Sequence, residues 1–197
     1  MDLPRILAFA GSARTGSFNR MLIRAAAQAA EAEGAAVTLV EMKDYPMPLY
    51  DGDLEEAKGM PEKARAFKEL LCGSDGFLIA SPEYNSSIPP LLKNAIDWAS
   101  RSESDDEAPL RAFAGKAAGL MAASPGRLGG LRGLVHLRSI LGNIGVTVVP
   151  AQVAVGSAGE AFRNDGTLTN EYFAKEIRGI ATQLVALARF LHGQGND

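Results

Sequence analysis

The stretch Gly76–Trp98 reads GFLIASPEYNSSIPPLLKNAIDW. Gly76–Ala80 is apolar without alternation, the pattern of a strand covered on both faces. From Pro89 onward Leu91, Leu92, Ala95, Ile96 and Ala99 recur at helical spacing, and the Pro89-Pro90 pair supplies the fixed φ that suits a helix entry. A buried strand running into such a helix is half of a parallel crossover unit. Between the two lie Ser81–Ile88, more polar than a connection requires. Pro82 turns the chain off the strand, and Glu83, Tyr84 and Asn85 keep their backbone groups out of any ladder. The edge of a flat heterocycle suits such N–H and C=O groups beside an aromatic ring. A turn capped by Ser86 or Ser87 would explain the hydroxyls but not the Glu-Tyr-Asn.

The same unit repeats along the chain. Strands are expected at Arg5–Ala10, Ala36–Glu41, Gly76–Ala80, Lys116–Ala123 and Val146–Val149. Helices are expected at Ser17–Glu33 (closed by Gly34), Pro61–Cys72, Pro89–Arg101, Leu128–Gly142 and Asn170–Leu191, with Lys43–Gly59 irregular. Apolar strands separated by helical periods predict an α/β fold: a flavodoxin-like, doubly wound five-stranded parallel sheet of order 2-1-3-4-5, helices on both faces, residues 1–197 forming one domain. Ligands of such sheets bind outside the carboxyl ends of the strands where the order reverses. The loops after the first, third and fourth strands are therefore the ones to read.

Composition narrows the function classes. The chain has 197 residues, 47% hydrophobic and 22% charged, within the globular range. A net charge of -3 is poor support for a nucleic-acid surface and weak support for the acidic docking face of an electron carrier. Apolar runs are short and broken by Gly, Arg or Glu, so no membrane span is expected. Asp2 stands where a secretory leader carries basic residues, and a strand follows at once, so no leader is expected either. The single cysteine, Cys72, excludes an internal disulfide and ends an apolar helical pattern, where a buried, inert thiol is expected. His136 and His192 lack partners at ligand spacing, so no metal site is expected. Reducing cytoplasm is the expected compartment.

The first loop, GSARTGSFN (Gly11–Asn19), combines a tight glycine exit, hydroxyls at Ser12, Thr15 and Ser17, the Arg14 guanidinium and the Asn19 amide, all before a helix N-terminus that attracts anions. Ser17 is placed as N-cap. Such a set suits a terminal phosphate, though a capped helix with a surface arginine would carry the same residues. It is neither a Walker loop nor the dinucleotide glycine fingerprint. The third loop, SPGRLGG (Ser124–Gly130), has three glycines that permit close approach of a ligand or of two packed elements. A phosphate grip and a planar-ring grip on one sheet edge together describe a mononucleotide with a flat head, and FMN fits.

The residues that carry this reading also carry a resemblance. Gly11–Asn19, Pro48–Asp51, Ser81–Trp98 and Ser124–Gly130, in that order, resemble the NADPH-dependent FMN reductase family, which includes bacterial quinone, chromate and azo reductases. The resemblance implies non-covalent FMN reduced by NADPH or NADH. It places Ser12, Arg14, Ser17, Phe18 and Asn19 at the phosphate, Pro82, Glu83, Tyr84 and Asn85 along the isoalloxazine, and Ser124 with Gly126 at its far side.

No nucleophile or acid/base constellation stands out, which agrees with chemistry carried by a flavin. The expected cycle is ping-pong: hydride from NADPH to flavin N5, then reduction of a quinone, free flavin or other small acceptor at the same ring face. A flavodoxin-type carrier or an FMN-binding sensor is the alternative. Arg101, Arg127 and Arg132 are candidates for a 2′-phosphate. Met47, Leu49 and Tyr50 either cover the sheet's own core or, as the resemblance favours, form a contact in a homodimer or dimer of dimers. The acidic run Ser102–Arg111 is expected to be a solvated loop, and Gly133 to loosen its helix.

Overall fold

The computed structural model describes residues 3–163 and 165–194. Met1 and Asp2, on which the reading of the N-terminus leans, lie outside them. Five strands, β1 (Arg5–Ala10), β2 (Ala36–Val40), β3 (Gly76–Ala80), β4 (Ala117–Ala123) and β5 (Thr147–Val155), lie parallel in the order β2-β1-β3-β4-β5. That is the expected topology.

The three inner strands are buried almost throughout because helices cover both faces. On one face α1 (Phe18–Ala32) and α7 (Glu171–Gln194) bring Leu22, Ala26, Ile180 and Leu184 against Ile6, Ala8, Leu78 and Met121. On the other, α3 (Glu62–Cys72), α4 (Pro90–Ala99) and α5 (Leu131–Asn143) set Phe67, Leu92, Ile96 and Leu137 on Leu7, Phe9, Phe77 and Leu120. Alternate residues of each strand feed opposite clusters, as the pleat requires.

The structure corrects three expectations. β5 runs to Val155 rather than stopping at Val149: partners shift from Ala118↔Val148 to Leu120↔Gln152, a bulge that accommodates Pro150 on an edge strand. Arg138 of α5 bonds the carbonyls of Val148 and Val149 and the Gln152 side chain there. Second, the stretch read as irregular contains α2 (Gly52–Lys58), whose N-cap Asp51 accepts a 2.9 Å bond from the Asp53 N–H. A short α6 (Ala158–Ala161) also went unread.

Third, Gly133 does not loosen α5. Its N–H donates to the Glu83 carboxylate at 3.0 Å, and a Cβ there would stand 3.2 Å from the Ser87 carbonyl oxygen and 3.4 Å from the Glu83 Cβ. The glycine is what lets the loop after β3 lie on the helix. The acidic run is a solvated loop over most of its length, as expected, but Glu107 is drawn inward. The run folds over Lys68, whose side chain is 2% exposed and whose ammonium bonds Glu107 at 2.5 Å and the Arg101 carbonyl at 2.8 Å. Glu103 closes the network through Arg65.

The loop before α2 is pinned to α4. The Pro48 carbonyl accepts from the Asn94 amide and the Trp98 indole, each at 2.8 Å, and the Tyr50 N–H donates to Asn94 Oδ1. Tyr50 then stands edge-on to Trp98 at 5.1 Å, and Met47 packs inward too, so both cover the chain's own core. Leu49 alone points out, 75% exposed.

Burial pushes the Glu107 carboxyl up, but the Lys68 bond and the Glu103 N–H outweigh it and hold the group below the usual glutamate range. A depressed folded value means that its stability contribution is full above the unfolded value of about 4.3 and is lost as pH falls through the folded one. Replacing Lys68 with Met leaves the nearly buried Glu107 carboxylate without its cation, while Glu103 keeps Arg65. We expect a loss of about 3 kcal/mol in urea unfolding at pH 7 and a flatter stability profile below pH 5 than in the parent.

Candidate functional site

The carboxyl ends of β1, β3 and β4 open onto three loops, and residues from all three line one cleft of about 130 Å³. Its wall holds Ser12, Arg14, Ser17, Phe18 and Asn19 from the first loop, Pro82, Glu83 and Tyr84 from the second, and Ser124 from the third, with Ala123 and Pro125 unforeseen. Asn85 and Gly126 are not on that wall.

The first loop leaves the sheet where the Gly11 N–H bonds the Ala80 carbonyl at 2.9 Å. A Cβ at Gly11 would lie 3.1 Å from Leu92, so the glycine lets this exit press against α4. Ser17 is the N-cap of α1, but its hydroxyl makes no cap bond although the residue is only 4% exposed. The Ser12 oxygen accepts from the Arg14 N–H at 3.3 Å, leaving its proton to give. The Arg14 guanidinium has no acidic partner among the described residues. Asn19 is committed elsewhere. Its amide donates to the Ala123 carbonyl at 2.8 Å and accepts from the Ala123 N–H at 2.9 Å, tying α1 to the end of β4.

The second loop resolves the puzzle of its polarity. Tyr84 and Ser87 exchange both backbone hydrogen bonds, at 2.9 and 3.0 Å, around Asn85 and Ser86 with φ of 50° and 69°. This is a two-residue hairpin turn with positive φ at both corners, a geometry that asparagine tolerates and serine resists. Neither Ser86 nor Ser87 caps α4; the N-cap is Pro89. Tyr84 is left 52% exposed beside the cleft, and the Ser87 hydroxyl meets His136 Nδ1 at 2.9 Å.

Glu83 turns its carboxylate onto the start of α5. It bonds the Gly133 N–H at 3.0 Å and the Arg132 guanidinium at 2.5 Å. Burial pushes the Glu83 carboxyl up, yet the Gly133 N–H and Arg132 prevail and hold it below the usual range. Nothing in the sequence pairs Glu83 with Arg132 of α5, since a single sequence does not show which elements meet.

In the third loop the glycines serve packing more than a ligand. A Cβ at Gly129 would come within 2.6 Å of the Ala154 backbone, and one at Gly130 within 2.7 Å of Ala122. Gly126 has room; its carbonyl accepts from the Gly129 N–H. Of the three arginines considered for a 2′-phosphate, Arg132 is paired with Glu83 and Arg101 with Glu55 at 3.0 Å. Arg127 has no partner among the described residues. Among those residues no three His, Cys, Asp or Glu could hold a metal ion, and no helix is long and apolar enough to cross a membrane.

This geometry has relatives. The family model for NADPH-dependent FMN reductases matches residues 4–160. An NAD(P)H-dependent FMN reductase of Pseudomonas aeruginosa is 36% identical over 184 residues, 93% of this chain and 92% of that one. An NAD(P)H:quinone oxidoreductase of Solanum tuberosum is 35% identical over 193 residues, covering 96% and 95%. Among solved structures, the flavoenzyme NAD(P)H:(acceptor) oxidoreductase of Paracoccus denitrificans superposes with a TM-score of 0.80 at 29% identity, covering 95% of this chain and 98% of that one. The chain therefore belongs to the NADPH-dependent FMN reductase family, and with that membership it is an oxidoreductase that works with FMN and a nicotinamide nucleotide.

Proposed function

We propose that this chain oxidises NADPH or NADH and reduces a quinone, free flavin or another small acceptor, with FMN seated in the cleft described above. The observation that carries the reading is the donor set that the fold leaves unused at one end of that cleft. The Ser17 hydroxyl makes no cap bond, Arg14 pairs with no carboxylate, and the N–H groups of Thr15, Gly16, Phe18 and Asn19 have no acceptor among the described residues. Amides at a helix N-terminus, a hydroxyl and a guanidinium are the chemistry that holds a phosphate dianion. The residues present fit the group.

FMN, when bound, takes a hydride from the nicotinamide and passes two electrons to the acceptor. Pro82, Tyr84, Ser124 and Pro125 would line the ring, and the unpaired Glu83 and Asn85 N–H groups would donate to its polar edge. In this reading the second loop serves the ring with its backbone, while its side chains hold the loop itself. The cleft's 130 Å³ is well below the ~300–1,000 Å³ of pockets that engulf a whole ligand. One face of the ring would therefore stay open, and the nicotinamide and the acceptor would take turns upon it in a ping-pong cycle.

The 2′-phosphate of NADPH is assigned to Arg127, the one of the three candidate arginines without a carboxylate. We place the protein in reducing cytoplasm, where its nicotinamide reductant resides, as one FMN-binding domain spanning 1–197. A homodimer or dimer of dimers completes the reading, supported by the exposed apolar side chains Leu49, Leu128, Leu131 and Val135.

An anaerobic absorbance spectrum of FMN-reconstituted protein tests the function directly. NADPH should bleach the flavin band within seconds and a quinone should restore it; flavin that binds and stays oxidised would leave only a binding protein. Arg14→Ala should weaken FMN binding about 10- to 100-fold, as expected for one charge-assisted contact. Arg127→Gln should raise KM for NADPH about tenfold and leave KM for NADH within twofold, read from steady-state kinetics with both nucleotides.

A further inference from the structure

We propose that Arg20, on the first turn of α1, is the positioning residue that shapes the phosphate loop from behind, an inference that rests on the FMN reading above. Arg20 is 9% exposed, unusual for an arginine in a chain with few buried charges. Its Nη1 donates to the carbonyl oxygens of Thr15 at 3.0 Å and Arg14 at 3.4 Å, and its Nη2 to Glu41 Oε1 at 2.6 Å. Arg24 shares that same carboxylate oxygen at 3.2 Å.

The orientation of the guanidinium shows what it serves. An arginine built to pair with Glu41 would lay Nε and Nη2 side-on against both carboxylate oxygens. Here one oxygen is engaged, and Nε is buried with no partner at all. An unmet buried donor costs free energy. The head is turned in the one way that lets Nη1 reach the two loop carbonyls.

Those carbonyls decide where the loop's donors point. In a trans peptide the C=O and the following N–H lie on opposite sides of the bond. With the Arg14 and Thr15 carbonyls drawn onto the guanidinium, the Thr15 and Gly16 N–H groups face away from it. Neither has an acceptor among the described residues. Ser17 continues the arrangement: its N–H returns to the Arg14 carbonyl, and its own carbonyl takes the Arg20 and Met21 N–H groups, leaving those of Phe18 and Asn19 free. Arg20 thus converts a serine- and glycine-rich loop, floppy by composition, into a concave row of amides. Glu41 and Arg24 anchor the guanidinium to the end of β2, so the loop is braced against the sheet.

Comparing FMN with riboflavin in the apoprotein isolates this role, because the two ligands differ only in the phosphate. The parent should prefer FMN strongly; a parent without that preference overturns both this proposal and the phosphate assignment. Given the preference, Arg20→Met should cut the FMN-to-riboflavin affinity ratio about tenfold or more, as outer partners of ligand-holding groups do in metal sites, with riboflavin affinity within threefold of the parent. Equal losses for both ligands would mean that Arg20 merely supports the fold, and an unchanged ratio would mean that the loop keeps its shape without it; either overturns the proposal. Arg20→Lys guards against a variant that does not fold. It keeps a charge beside Glu41 but cannot span carboxylate and carbonyls together, so its ratio should also fall, and a fully retained ratio would overturn the positioning role.

Discussion

Two hydrogen bonds between the Asn19 amide and the backbone of Ala123 set the geometry on which the rest of the site depends. In the strand order β2-β1-β3-β4-β5, α1 follows β1 and Ala123 ends β4, so this clamp reaches across the mouth of β3. It fixes the start of α1 relative to the far side of the cleft. Asparagine is the residue for the task because its amide offers a donor and an acceptor on one rigid plane. Aspartate would set a second acceptor against the Ala123 carbonyl, and leucine would leave a buried N–H and C=O unmet, each at a cost of about 1–3 kcal/mol.

The other loops are tied in the same way. The Gly11 N–H bonds the Ala80 carbonyl, joining the first loop to the end of β3. Glu83 caps α5 at Gly133 and pairs with Arg132, joining the second to α5. The first and second loops are thereby tied by backbone or by a nearly buried polar side chain to the strand ends and the helix around the cleft, which is held open before any ligand arrives. A site formed in advance spares the ligand the entropy of ordering it. The turn at Asn85 and Ser86, with positive φ at both corners, is kept in that conformation by the two backbone hydrogen bonds between Tyr84 and Ser87 and by the buried anchors Ile88 and Pro89 that follow.

The sheet was legible in the sequence because burial on both faces removes the polar residues that would otherwise interrupt a strand. RILAFA and GFLIA are short apolar runs bounded by turn residues, which favours a buried strand over a helix. Where the pattern is broken for a local reason, the reading stopped short. Pro150 signals the end of a strand, and only the structure shows that an edge position with a bulge, and Arg138 to satisfy it, carries the strand past. Lys68 falls on the same helical face as Ala64, Phe67 and Leu71, which was a signal of burial. Its partners lie more than thirty residues away in an acidic run, so its meaning waited on the fold. Gly133 is the converse: a glycine poor for a helix, yet required by a contact with Glu83 that sequence spacing does not reveal.

In the proposed reading, the same distinction explains how a chain of net charge -3 offers a place for an anion. Sequence alone cannot separate a cation that serves a ligand from one that serves the fold, since both are arginines in or near a loop. Carboxylates make the separation. Glu41 takes Arg20 and Arg24, Glu55 takes Arg101, and Glu83 takes Arg132, so each of these guanidinium groups is held in the framework. Arg14 and Arg127 have none among the described residues, and they stand on the first and third loops, at the carboxyl edge where β1 and β4 end. In the proposed reading, carboxylates pair the framework arginines nearest the site and leave Arg14 and Arg127 for a ligand. Local potential at the cleft depends on that sorting and not on the sum of charges, because exposed charges farther than about 10 Å are largely screened at ordinary ionic strength.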